Sequence, residues 1–235
     1  MGSMPMSPTV REAFPPTGWS LLAGFAAGGA ARSRALADLA QRYWMPVYAY
    51  LRGKGRTQAD AEDLVQSFFL HLMEGDLLAR PDRSQGKFRS WLLAVLEHFL
   101  ANEARFRGAR KRGGGKKIVP LDSTAAEQAI ERGRELAPHD AFNRTWAMET
   151  LQRAFARLET EMKAAGSQAV LARLRSRMGI AAVVAGAAEV SNVAVHRARK
   201  RLKELVLSEV RDSVRDPGDV PSEVADLFRS LGRSA

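Results

Sequence analysis

Phe88–Lys117 reads FRSWLLAVLEHFLANEARFRGARKRGGGKK. Phe88, Trp91, Leu92, Val95, Leu96, Phe99, Glu103 and Phe106 step by three or four residues, so the spacing predicts a helix with one largely apolar face. From Arg105 to Lys117 seven of thirteen residues are Lys or Arg and none is acidic. A packed aromatic helix that ends in uncompensated positive charge, with His98 and Asn102 beside it, suits single-stranded or melted nucleic acid better than a small metabolite. Trp91 and Phe99 lie on the apolar stripe and are expected in the core rather than as stacking platforms.

Upstream of this stretch, Leu36, Leu39, Ala40, Tyr43, Trp44, Val47 and Leu51 predict an amphipathic helix, bent or broken near Pro46. Gly53–Arg56 (GKGR) is a turn, and Thr57 is placed to cap the next helix. Asp60, Glu62 and Asp63 fall in the first turns of that helix, where the helix dipole favours negative charge. Its expected buried face is Ala61, Leu64, Val65, Phe68 and Leu72, and Glu74–Lys87 follows as a polar loop. Residues 1–18 form a Pro-rich tail, and residues 19–107 make the first domain.

Downstream, 108–143 reads as a linker with one weak helix around Ala125–Glu135. A second helical domain is expected over 144–209. Its stripe runs through Met148, Leu151, Phe155, Leu158 and Met162, then Val170, Leu171, Leu174 and Met178. Ile180–Ala185 is a short apolar helix and Gly186 a turn. A long helix from about Ala188 to Glu209 then turns Val195, Ala198, Leu202, Leu205 and Val206 inward. Its other face carries His196, Arg197, Arg199, Lys200, Arg201 and Lys203, giving Ile180–Lys203 helix-turn-helix proportions. Residues 210–235 form a C-terminal extension within a mildly acidic tail that begins at Glu204. No convincing strand is present. The expected fold is all-α: two small helical domains joined by a flexible linker.

The whole-chain balance agrees with a polyanion partner: 36 Lys and Arg face 26 Asp and Glu, a net charge of +10. The absence of cysteine excludes disulfides, thiol nucleophiles and cysteine-ligated zinc. Ser20–Ala35 has the outline of a signal-peptide core but follows Glu12 and Pro15-Pro16 rather than a basic leader, and Ile180–Val190 is too short to span a bilayer. The expected location is therefore cytoplasmic, with no membrane partner. His71, His98, His139 and His196 lack metal-ligand spacing, so no metal and no cofactor are expected. Arg112–Lys117 (RGGGKK) neither follows a strand nor precedes a helix, and fails as a phosphate-binding loop. Asp60, Glu62 and Asp63 have no His or Lys at a spacing that makes an acid–base pair, which argues against an enzyme.

Taken in order, these segments resemble extracytoplasmic-function sigma factors of bacterial RNA polymerase. Ala35–Arg52 (ALADLAQRYWMPVYAYLR) resembles the first part of sigma region two, and Asp60–Ala79 (DAEDLVQSFFLHLMEGDLLA) is close to the family's DAEDLVQ helix. Gly86–Gly115 is similar to the promoter-melting and minus-ten segment, and Val193–Val206 (VAVHRARKRLKELV) to the end of the region-four recognition helix. Ala187 stands where a Ser often caps that helix, unless a short deletion falls near Ser191. Gly18–Leu22 and Arg211–Leu231 look like a branch seen in Planctomycetes and Myxobacteria.

The resemblance implies core RNA polymerase as partner, through its β′ clamp helices and β flap, together with promoter DNA and an inhibitory anti-sigma protein. It assigns Asp60, Glu62, Asp63 and Gln66 to the polymerase. It assigns Lys87, Arg89, His98, Asn102, Arg105 and Arg107 to the minus-ten strand, with Leu77–Lys87 cradling a flipped base. His196, Arg197, Arg199, Lys200, Arg201 and Lys203 would read the minus-thirty-five element. The alternative is a helix-turn-helix regulator that binds duplex DNA without polymerase. That reading leaves the Asp60–Asp63 helix and Phe88–Lys117 without a task.

Overall fold

The computed structural model describes residues 25, 28–74, 86–104, 136–178, 190–211, 213–214 and 216–232, together with the backbone of 105–107. The helices are α1 (Gly29–Gly53), α2 (Gln58–Glu74), α3 (Phe88–Arg107), α4 (Pro138–Ala164), α5 (Gln168–Arg177), α6 (Asn192–Arg211) and α7 (Val220–Gly232). A short 3₁₀ turn, Pro217–Asp219, leads into α7. Extended structure among the described residues is confined to one antiparallel bridge between Lys87 and Val214. The loop over 75–85, the stretch 108–135 with its weak helix, and the short apolar helix Ile180–Ala185 lie outside the described residues.

Of the bend or break expected near Pro46, α1 shows no break. The helix runs unbroken through that residue, which is itself buried. A proline inside a helix forfeits one backbone hydrogen bond. Here Tyr43, Trp44, Val47 and Leu51 are buried on both sides of it, and that packing outweighs the loss. The chain then turns through Gly55, whose φ of 77° suits glycine. Thr57 caps α2 as expected: its Oγ1 accepts from the Asp60 N–H at 3.2 Å. Ala61, Leu64, Val65, Phe68 and Leu72 are buried as the periodicity predicts, with Phe69 beside them.

The all-helical expectation holds among the described residues, but the two sets of helices share one core. α4 packs along α1 and also touches α5, α6 and α7. At one end the approach is close. A Cβ on Gly53 would lie 3.0 Å from Pro138 Cα, so glycine is what lets the start of α4 sit against the end of α1. Residues 138–143, expected in the linker, are the first turns of α4.

The buried face of α4 also differs from its large-residue stripe. Phe142, Trp146, Ala147, Thr150, Ala154 and Leu158 point inward, whereas Met148 is 46% exposed. A helix clasped between α1 and the α6–α7 pair uses small residues for close approach, and a count of large apolar residues overlooks them. Met178 is likewise exposed, while Leu171 and Leu174 are buried.

Candidate nucleic-acid interface

α3 sits on region 28–74 through its aromatic stripe. Phe88 meets Tyr43 and Trp91 at ring-centroid distances of 5.3 Å each, and Phe99 meets Phe68 at 5.5 Å. Trp91 and Phe99 are both buried, so they are core residues as expected and offer no face to a base. Burial pushes the Tyr43 hydroxyl up to about 12, with the nearby charges of Arg153, Arg42, Glu223 and Arg89 as smaller influences. This anchoring turns the opposite side of α3 outward. His98 is exposed and Asn102 half-buried, and the helix continues to Arg107. The side chains of Arg105 and Arg107 lie outside the described residues.

At the outer edge of the same helix, Tyr50 of α1 donates to Glu97 at 2.8 Å, and His139 Nε2 of α4 lies 3.3 Å from that carboxylate. The Tyr50 hydroxyl is pushed above its ordinary value by burial, then by the hydrogen bond and charge of Glu97. Helices α1, α3 and α4 thus meet at one polar cluster.

Lys87 and Arg89, which the resemblance assigns to the minus-ten strand, are engaged within the fold. Arg89 is only 6% exposed. Its Nε donates to Glu223 Oε1 at 2.6 Å, and its Nη2 donates to Glu223 Oε2 at 2.9 Å and to Asp226 Oδ2 at 2.6 Å. Its Nη1 donates to Asn143 Oδ1 at 2.5 Å, and the guanidinium carbon lies 4.8 Å from the centre of the Trp146 ring. Lys87 Nζ lies 2.6 Å from Asp226 and 3.3 Å from Glu223. Burial alone would lower the Arg89 pKa, but the hydrogen bond and charge of Glu223 raise it overall. Asp226, which burial would raise, is held below its ordinary range by Lys87, Arg89 and Arg229.

The acidic end of α2 is only partly engaged by its own helix. Thr57 Oγ1 donates to Asp60 at 2.9 Å and Gln58 Nε2 to Glu62 at 3.1 Å, while Asp63 is exposed and Gln66 half-buried. On α6, Val195, Ala198, Leu202, Leu205 and Val206 are buried as predicted. His196, Arg197, Arg199, Lys200 and Lys203 are exposed on its other side. Arg201 differs from its neighbours: it donates twice to Glu161 at 2.8 Å and once to Glu204 at 3.1 Å, and Glu161 is lowered by that hydrogen bond. Ser191 takes the capping position, its Oγ accepting from the Val193 N–H at 3.2 Å.

Two constellations were not foreseen from the sequence. Glu209 of α6 is buried among three arginines: Arg153 Nε at 3.1 Å, Arg157 Nη1 at 3.2 Å and Arg42 Nη1 at 3.6 Å. The other is the docking of α7, whose Glu223 is fully buried. Val220, Val224, Leu227 and Leu231 recur at three and four residues, and that spacing was the available signal for α7.

Among the described residues no group of His, Asp or Glu could hold a metal ion, and no helix is long and apolar enough to cross a membrane. A protein-family model described as Sigma-70 region 2 matches residues 23–110, the part of the chain that holds α1, α2 and α3. No curated protein and no solved structure matches the chain.

Proposed function

We propose that the chain, which carries a sigma-70 region 2 domain over residues 23–110, is a sigma factor, and that its surfaces divide the work as follows. The protein directs RNA polymerase to promoters and takes part in melting them; it binds core polymerase and promoter DNA and is not an enzyme. Strand opening of this kind draws on binding free energy, so surfaces rather than a catalytic centre carry the function.

In the proposed division, the start of α2 meets the β′ clamp helices of the polymerase, with Asp63 as the most open carboxylate and Asp60, Glu62 and Gln66 beside it. The outward side of α3, with His98 and Asn102, meets the melted minus-ten strand, together with Arg105 and Arg107 near the end of the helix. The exposed row His196, Arg197, Arg199, Lys200 and Lys203 on α6 meets duplex DNA upstream, and α6 serves as the recognition helix of a region-four unit. The chain belongs, in this reading, to the extracytoplasmic-function group. An inhibitory anti-sigma protein is a further proposed partner.

One observation carries the reading. The apolar stripes of α1, α2 and α3 are used up in a shared core, which leaves the acidic start of α2 and the polar side of α3 outward on the same domain. Run-off transcription with core polymerase on the DNA upstream of the protein's own coding region tests it. A specific transcript that requires the protein is expected. No transcript, together with duplex DNA binding that is indifferent to polymerase, would overturn it in favour of a stand-alone regulator.

A further inference from the structure

We infer that α7 is an intramolecular inhibitor: its Glu223 and Asp226 occupy the cationic start of α3, and α7 must leave before Lys87 and Arg89 can meet a nucleic-acid strand. The inference rests on the reading of α3 as the strand-facing helix.

Its basis is how the Arg89 guanidinium is divided between its neighbours. Asn143 and the Trp146 ring, both on α4, hold one side of the group through Nη1 and the ring face. Glu223 and Asp226, both on α7, take the other side through Nε and Nη2. The Nε–Nη2 side of an arginine is a fork that binds a carboxylate or a phosphate with two parallel hydrogen bonds. A carboxylate of α7 therefore sits where the phosphate of a strand would sit. Lys87 lies beside the fork and is turned to the same two acids.

With α7 removed, α4 would still hold the guanidinium in place and present the fork to solvent. The site would be preorganised for an anion rather than formed on demand.

Two features make α7 separable from the rest of the fold. Its attachment uses few large apolar side chains: Leu227 is fully buried and Val220 nearly so, while Val224 and Leu231 are only partly covered. The remainder of the contact is ionic, and ion pairs withdrawn from water return little net stability because their hydration is lost. The connection before α7 is pinned at the same place, with Phe88 N–H donating to Ser213 O at 3.1 Å beside the Lys87–Val214 bridge. That pairing precedes α7, so release of Val220–Gly232 would free the Lys87 and Arg89 side chains while Phe88 stays bonded to Ser213.

The test uses the full chain and an oligothymidylate probe, with binding measured by fluorescence anisotropy over a salt series. Glu223→Gln with Asp226→Asn removes the competing charges. Leu227→Ala loosens α7 without changing any charge. Hydrogen exchange over 220–232 reports whether α7 is released, and circular dichroism reports whether the other helices remain.

Both variants are expected to expose α7 to exchange and to bind the probe more tightly. Their salt dependence should steepen by about 0.7 slope unit for each cation freed. Arg89→Gln placed in either background should cancel most of the gain. If α7 is released and binding stays at the parental level, or if the gain persists without Arg89, the inference is overturned. Run-off transcription separates this failure from that of the underlying reading. A parent protein that supports transcription, with α7 variants no better, sinks only the inhibitor; a parent that never engages core polymerase sinks the assignment of α3.

Discussion

Glu209 gives the sharpest test of how the two sets of helices hold together. The carboxylate is 2% exposed and receives Arg153 and Arg157 of α4 at hydrogen-bond distance, with Arg42 of α1 at 3.6 Å. Glu209→Gln keeps the shape and removes the charge. A hydrogen bond with a charged partner nets about 1.5–3 kcal/mol, and two are weakened here. Two effects oppose that loss. The amide retains one acceptor oxygen, and it escapes the cost of burying a carboxylate. The arginines are 13–27% exposed, so each can recover some hydration.

The balance is a loss of about 2–3 kcal/mol, which for a chain of this size corresponds to a melting temperature lower by about 4–12 °C. A thermal melt followed by circular dichroism measures it. Hydrogen exchange over α4 should rise in the same variant, because Arg42 ties that helix set to α1. A melt superimposable on that of the parent would refute the reasoning. It would mean that the three arginines are satisfied by water and that the shared apolar core alone joins the two sets.

Other outcomes follow from single sites. Thr57→Ala removes the oxygen that accepts the Asp60 N–H and should cost about 1 kcal/mol in a urea titration; no change would mean that water replaces the cap. Asp63→Arg should weaken association with core polymerase while leaving the melting curve in place, since Asp63 is exposed; unchanged affinity in a binding titration would remove it from the proposed interface. Asp226 has a folded pKa below its ordinary value, so its contribution is complete above the unfolded value of about 3.9 and is lost as pH falls through the lowered one. Exchange protection of α7 should therefore be flat near neutrality and fail only in acid, and protection lost already near neutral pH would contradict the assignment.

The first three helices were legible because each buries a stripe whose period is visible locally. Leu64, Phe68 and Leu72 announce α2, while Phe88, Trp91, Leu92 and Phe99 announce α3 and their own burial. The face of α6 was legible for the same reason. Its exception, Arg201, was not, because Glu161 lies 40 residues away on α4. Lys87 and Arg89 show the limit most clearly. Beside a polar loop and a basic stretch they look like open cations, yet their partners are carried on a segment that reads locally as an acidic tail. Nothing in a window of neighbouring residues can reveal a counter-charge 134 residues away. That the helix is not broken at Pro46 was hidden for the opposite reason, since its local penalty is visible and the packing that overrides it is not.

The contact between the start of α3 and the segment through α7 also has a kinetic consequence. Arg89 and Glu223 are 134 residues apart in the chain, so their pairing closes a long loop, and its entropic cost must be met before the contact returns any stability. Such contacts form late in folding and tend to open as cooperative units below the free energy of global unfolding. If α7 is the releasable inhibitor inferred above, the C-terminal segment is expected to behave as a foldon of its own. On that inference it would detach and re-dock while the central helices stay folded.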